Sequence, residues 1–251
     1  MKKILQKCTN NDLEYISEIL DSYVAFTNDS KRKELLKKTI KDGDITTKNE
    51  LIKLIDKQIR YYGSSDVAYL FRSLFNDDGG VSAEEVISDV ANKLKVKVKL
   101  GASTEKMLEL LVLAVVDKEL LSKSPEELSA YFKKAKICDA DSEKIINYLK
   151  DNGKIAVLPI LFKILGPEMT AAIIQSIVIS IIAQFVGKDI AKKLIQELVK
   201  RNPWLNTLGP IIWVLSGAWF ALDLQGEAYR KTIPICLYIG IVALRDGEEE
   251  N

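Results

Sequence analysis

Two long stretches near the C-terminal end carry no charged side chain, from Met169 to Gly187 and from Pro203 to Leu222. Each is about as long as the ~20 apolar residues with which a helix crosses a bilayer. A helix that is apolar nearly all round must sit either at the centre of a packed unit or in lipid. In the first stretch Ile173, Ile174, Ile177, Ile181 and Ile182 form one helical stripe, widened by Val178 and Phe185. Gln175, Ser176, Ser180 and Gln184 are its polar members; the two glutamines are costly against lipid and easily satisfied inside a protein. The second stretch holds or adjoins all three tryptophans, Trp204, Trp213 and Trp219. They suit an interfacial belt and a packed core equally well. Ile173, Ile177, Ile181, Phe185, Ile211, Trp213 and Trp219 are the candidate membrane- or partner-binding residues.

Between the stretches lies a mostly basic segment in which Ile190, Leu194 and Leu198 recur on one helical face. Lys188, Lys192, Lys193, Lys200 and Arg201 give it a basic surface. Such a helix fits an anionic membrane surface, and it fits the outside of a helical bundle as well. Apolar helix, basic helix and apolar helix inside a charged shell follow the logic of colicin-type pore-forming domains, an analogy of pattern only.

The first 150 residues read as amphipathic helices with start signals. Thr47–Glu50, Ser82–Glu85 and Ser124–Glu127 have capping-box spacing, and Pro125 follows the last cap serine. Gly63 stands at a C-cap position. Further helices are expected at about 10–24, 31–41, 65–75, 104–121 and 141–152. Leu94 to Leu100 (LKVKVKL) alternates as a strand would but has no partner strand, so an extended connector is expected. Beyond Lys154, Gly166-Pro167 and Asn202-Pro203 divide a more apolar region into helices.

Composition removes several functions. Among the 251 residues there is no histidine, which takes away the commonest general base and metal ligand. Cys8, Cys138 and Cys236 are odd in number and lack metal-ligand spacing. Asp77-Asp78 and Asp139…Asp141 lack the spacing of a calcium loop. There is no Walker A or GxGxxG motif, and no GxSxG or SxxK in a convincing setting. The net charge of +1 offers no field for nucleic acid. The N-terminus lacks the apolar core of a signal peptide. The expectation is a cytoplasmic protein with no catalytic residue, no metal and no cofactor.

The stretch Leu208-Gly209-Pro210…Trp213…Gly217…Trp219…Asp223…Gly226…Ala228-Tyr229-Arg230…Thr232-Ile233-Pro234…Leu244-Arg245 resembles the YaaW family of uncharacterised bacterial proteins. Its AYR-x-TIP core spans Ala228 to Pro234. Tyr62 to Arg72 resembles the family's FGGDSIAN…R segment, with Ser64 at its second glycine. Val86 to Val96 resembles its ILLDVSKRLKLK segment. The resemblance covers about 60 to 245 and implies a helical protein. A loose link to ubiquinol–cytochrome c chaperone-like domains implies an assembly factor rather than a catalyst. Asp223, Tyr229, Arg230, Thr232 and Pro234 are the motif residues; Arg230 either binds an anion or pairs with Asp223 or Glu227.

The fold expected is all-α: an N-terminal array of amphipathic helices packed with a C-terminal bundle built around two very hydrophobic helices. The expected domains are 1–152 and 153–251. The expected function is non-enzymatic. A hydrophobic C-terminal hairpin engages membrane lipid, giving a peripheral or conditional membrane pool. The other reading is a soluble chaperone or assembly factor that binds a partner protein. An oligomer is compatible with both.

Overall fold

The computed structural model describes residues 1–21, 28–63, 80–135, 137–152, 157–186, 188–201 and 227–246. The described residues form helices joined by turns and extended connectors, with no strand among them. The chain makes two compact units. Unit 1 comprises Met1–Leu111 and Leu224–Asn251; unit 2 is Val112–Asp223. The second unit is therefore an insertion in the first. The boundary expected at 152/153 instead falls inside unit 2. Composition suggested that boundary, because charge density drops there. What divides the molecule is the return of the last helix to the N-terminal helices.

Unit 1 holds α1 (Lys2–Lys7), α2 (Asn10–Leu20), α3 (Asp29–Asp42), α4 (Ile45–Tyr62) and α5 (Ala83–Lys93). It also holds the first part of α6 (Thr104–Leu121) and all of α11 (Glu227–Asp246). Local chemistry starts these helices. Thr9 and Asp12 form a reciprocal capping box on α2, as Ser82 and Glu85 do on α5. The cap expected at Thr47 lies elsewhere: Asp44 accepts the Thr47 backbone N–H at 2.8 Å, and Thr47 is already helical. Asp outranks Thr as a cap and stands three residues earlier. Gly63 does cap α4, but at φ −73 and not left-handed. A Cβ there would lie 2.5 Å from a Val86 methyl, so close approach is what requires glycine. Lys95 (φ 53) ends α5 in a Schellman turn, its N–H on Asn92 O and that of Val96 on Ala91 O. Of the LKVKVKL segment, Leu94 and Lys95 belong to that turn and Leu100 to the next, so the connector without regular structure is 96–99.

Helix α11 packs on α1, α2, α4 and α5. Every residue from 231 to 243 is buried, so α11 is the central helix of unit 1. Ile233, Leu237 and Ile239 meet a core that includes Leu13, Ile16, Leu51, Ile55 and Val90. Each such side chain contributes roughly 1.5–3 kcal/mol on burial.

Unit 2 holds the rest of α6, then α7 (Pro125–Lys134), α8 (Asp139–Asn152), α9 (Leu158–Ile182) and α10 (Lys188–Arg201). Ser124 and Glu127 close the capping box expected for α7, with Pro125 at its start. Helix α9 packs on α8 and α10, and α7 on α8. The core gathers Val112, Val115 and Val116 with Phe132, Ile145, Leu161 and the isoleucines of α9. Only α9, among the described residues, is long and apolar enough to cross a membrane by length and composition. One of the two very hydrophobic helices expected is thus found among the described residues; the second, expected within 203–222, and the helix expected at 65–75 lie outside them.

Candidate functional site

Helix α9 is not one rod. Gly166 adopts φ 80 and ψ 174, a conformation open to glycine, and Pro167 restarts the helix. Thr170 Oγ1 donates to the Gly166 carbonyl at 2.8 Å, steadying the restart. The arm from 167 to 182 has 16 helical residues and is about 24 Å long. That falls short of the ~30 Å hydrocarbon core of a bilayer.

The start of α9 is held from another helix. Val157 supplies no side-chain cap. Asp117 of α6 instead accepts the backbone N–H groups of Val157 and Leu158 at 3.0 and 3.1 Å. Burial raises the Asp117 pKa above its ordinary 3.8, only partly offset by those two N–H groups.

Ile173, Ile177 and Ile181 are fully buried in unit 2, and Phe185 is half-buried. Their polar neighbours are satisfied within the fold. Ser176 donates to Ile173 O and Ser180 to Ser176 O. The Tyr131 hydroxyl meets Ser176 Oγ at 3.3 Å, and burial pushes that phenol up to about 12. On α10, Ala191 and Leu194 are buried while Lys192 and Lys193 are exposed, the amphipathic arrangement expected. Lys188, Lys200 and Arg201 belong to the same helix. Ile211, Trp213, Trp219 and Asp223 lie outside the described residues.

The AYR-x-TIP segment begins α11 in unit 1. Thr232 and Pro234 are buried, Tyr229 is half-buried and Arg230 is exposed. Thr232 Oγ1 donates to Ala228 O at 3.0 Å. Lys93 Nζ sits 4.8 Å from the centre of the Tyr229 ring. The motif's unnamed position proves the most engaged. Lys231 is buried, and its Nζ donates to Leu20 O at 3.1 Å, Asp21 O at 3.0 Å and Tyr62 Oη at 3.0 Å. Those two carbonyls lie at the C-terminal end of α2, where a cation meets the negative end of the helix dipole.

Arg32 serves the same corner and is fully buried. Its Nε donates to Ser17 Oγ at 2.8 Å. Nη1 reaches Asp29 and Gln58 at 2.6 Å each, and Nη2 reaches Ser17 O and Asp21. All five guanidinium N–H groups and all three ammonium N–H groups are spent on protein acceptors. The arrangement is a joint between helices, with no donor left for an anionic ligand.

A second polar joint closes the other end of α11. Asp12 accepts from Tyr238 Oη at 2.8 Å and pairs with Arg245 at 3.1 Å. Burial of Asp12 pushes its pKa up, but the Thr9 N–H, Arg245 and Tyr238 outweigh it and hold the carboxyl below its ordinary 3.8. Sequence reasoning named neither Lys231 nor Asp12 nor Arg32. One signal for α11 was present: Thr232 to Leu244 carries no charge, and at 13 residues its length suits a buried core helix rather than a membrane span.

The chain is similar to bacterial proteins called UPF0174. One relative from Helicobacter pylori strain J99 is 27% identical over 248 residues, spanning 94% of this chain and 92% of that protein. A relative from strain 26695 is 27% identical over 193 residues, spanning 76% of this chain and 87% of its own length. These homologues belong to an uncharacterised family whose name implies no reaction. No family model and no solved structure matches the chain.

Proposed function

We propose that this is a non-enzymatic, cytoplasmic, YaaW-like protein whose inserted unit associates conditionally with anionic membrane surfaces. The observation that carries the reading is the make-up of unit 2. An apolar helix, α9, is followed directly by an amphipathic helix, α10, whose Lys192 and Lys193 are exposed. Apolar surface and anion-attracting charge on neighbouring elements are what interfacial binding uses. The break at Gly166 favours shallow insertion along the headgroups over a straight crossing, because neither arm is long enough to span.

Co-sedimentation with anionic vesicles, together with dye release, tests the reading. Wash-resistant binding supports it. Lys192→Glu with Lys193→Glu leaves the fold intact and weakens binding by roughly 1 kcal/mol or more per lysine. Absence of binding across pH and salt overturns the membrane reading.

A second reading has its own support. Ile173, Ile177 and Ile181 are fully buried, which is what a soluble assembly factor or chaperone needs if this segment is simply core. In that case Ile177→Asp unfolds unit 2. If the helix is instead deployed outward, the same change leaves the soluble form folded and abolishes vesicle binding, because a carboxylate is costly against hydrocarbon.

A further inference from the structure

Unit 2 contains a recess that neither proposed reading uses. It lies where the end of α6 meets the start of α7 and the last turns of α8, with a volume of about 110 Å³. Leu120, Leu128, Ile146 and Leu149 are among the aliphatic side chains lining it. The charged groups on its lining are two lysines, Lys123 and Lys150, with no carboxylate among the lining residues. Lys123, just past the end of α6, is tied to Glu119 of that helix at 3.2 Å. Lys150 is exposed at the rim.

We propose that this recess binds a single-chain aliphatic carboxylate, a short fatty acid, with its chain among the leucines and its head at Lys150. The physical reasons are size, lining and charge. The volume is well below the ~300–1,000 Å³ of sites for large ligands, so one thin chain fits and a ring system or two-chain lipid does not. An aliphatic wall rewards burial of methylene groups. It offers no buried polar group to orient a neutral polar ligand. An exposed lysine at the mouth selects an anion over a cation, and its flexible stem lets the ammonium follow the head. The inference does not depend on membrane association, since it needs only the closed unit 2.

The test is a titration of the full chain with octanoate, followed by the methyl NMR signals of its leucines and isoleucines. Octylammonium serves as the charge-reversed control. The expected result is saturable shifts confined to the lining residues Leu120, Leu121, Leu128, Ile146 and Leu149, with a Kd on the order of 0.1–1 mM for so small a ligand. Octylammonium gives binding weaker by about tenfold or more. Lys150→Glu, at an exposed site, keeps the spectrum of the free protein and loses about tenfold in octanoate affinity. Leu149→Trp, which fills the recess, abolishes the shifts. Equal binding of both amphiphiles, shifts spread over the whole protein, or no saturation at millimolar octanoate overturns the proposal.

Discussion

In unit 1, beside the bonds that cap single helices, buried polar groups tie different helices together: Asp12 to Arg245, Lys231 to Leu20, and Arg32 to both Ser17 and Gln58. Among the described residues of unit 2, polar bonds such as Lys123 with Glu119, Ser180 with Ser176 and Thr170 with Gly166 stay within a turn. Tyr131 with Ser176 and Asp117 with the start of α9 cross between helices. The contrast has a physical meaning. Directional bonds to buried charges admit one arrangement, because any slip strands a charge away from water. Apolar packing is tolerant of rearrangement so long as area stays buried. Unit 1 is built as a fixed frame, and unit 2 is held mainly by hydrophobic contact.

The largest expected effect strikes the frame. Arg32→Met removes the donor shared by Ser17, Asp21, Asp29 and Gln58 and costs unit 1 about 3–5 kcal/mol. Segment-resolved hydrogen exchange then shows deprotection of α2, α3 and α4. Equal deprotection of α9 breaks the comparison by showing that the units open together. Ile177→Ala is next, at roughly 3 kcal/mol for a cavity in the core of unit 2. The same measurement finds that loss in α9, with α11 unchanged.

The smallest effect is a difference in response to acid. Asp12 has a lowered folded pKa, so its contribution is present above 3.8 and is lost as pH falls below that value. Asp117 has a raised one, so its ionised form is penalised in the fold and the penalty eases as pH falls toward 3.8. Mild acid therefore steadies unit 2 through Asp117, and stronger acid loosens unit 1 through Asp12. Urea midpoints read by hydrogen exchange at several pH values, corrected for intrinsic rates, check both signs. Asp117→Asn removes the first trend and Asp12→Asn the second.

Local signals were legible in the sequence. The Ser82 and Ser124 caps, the span of α6, the break at Gly166-Pro167 and the two-faced α10 all follow from spacing that acts within a few residues. The Thr47 cap misled, because a better acceptor stood at Asp44. What spacing cannot carry is a partner two hundred residues away. Nothing near Lys231 announces that its acceptors are Leu20 and Asp21, although the uncharged run from Thr232 to Leu244 marks the helix as a core helix. The charge drop after Lys154 therefore passed for a boundary. Arg230 drew attention as the motif's charged residue, yet it is exposed, whereas the lysine beside it is buried.

The insertion also sets a timetable. Residue 231 leaves the ribosome 120 residues after residue 111, on the order of ten seconds later at ordinary bacterial elongation rates. Throughout that interval the N-terminal helices exist without their central partner, and the carbonyls at the end of α2 have not met their cation. All of 112–223, by contrast, is made before α11 appears. The unit begun first is thus the last to close, and the hydrophobic insert can find its own core while the frame still stands open.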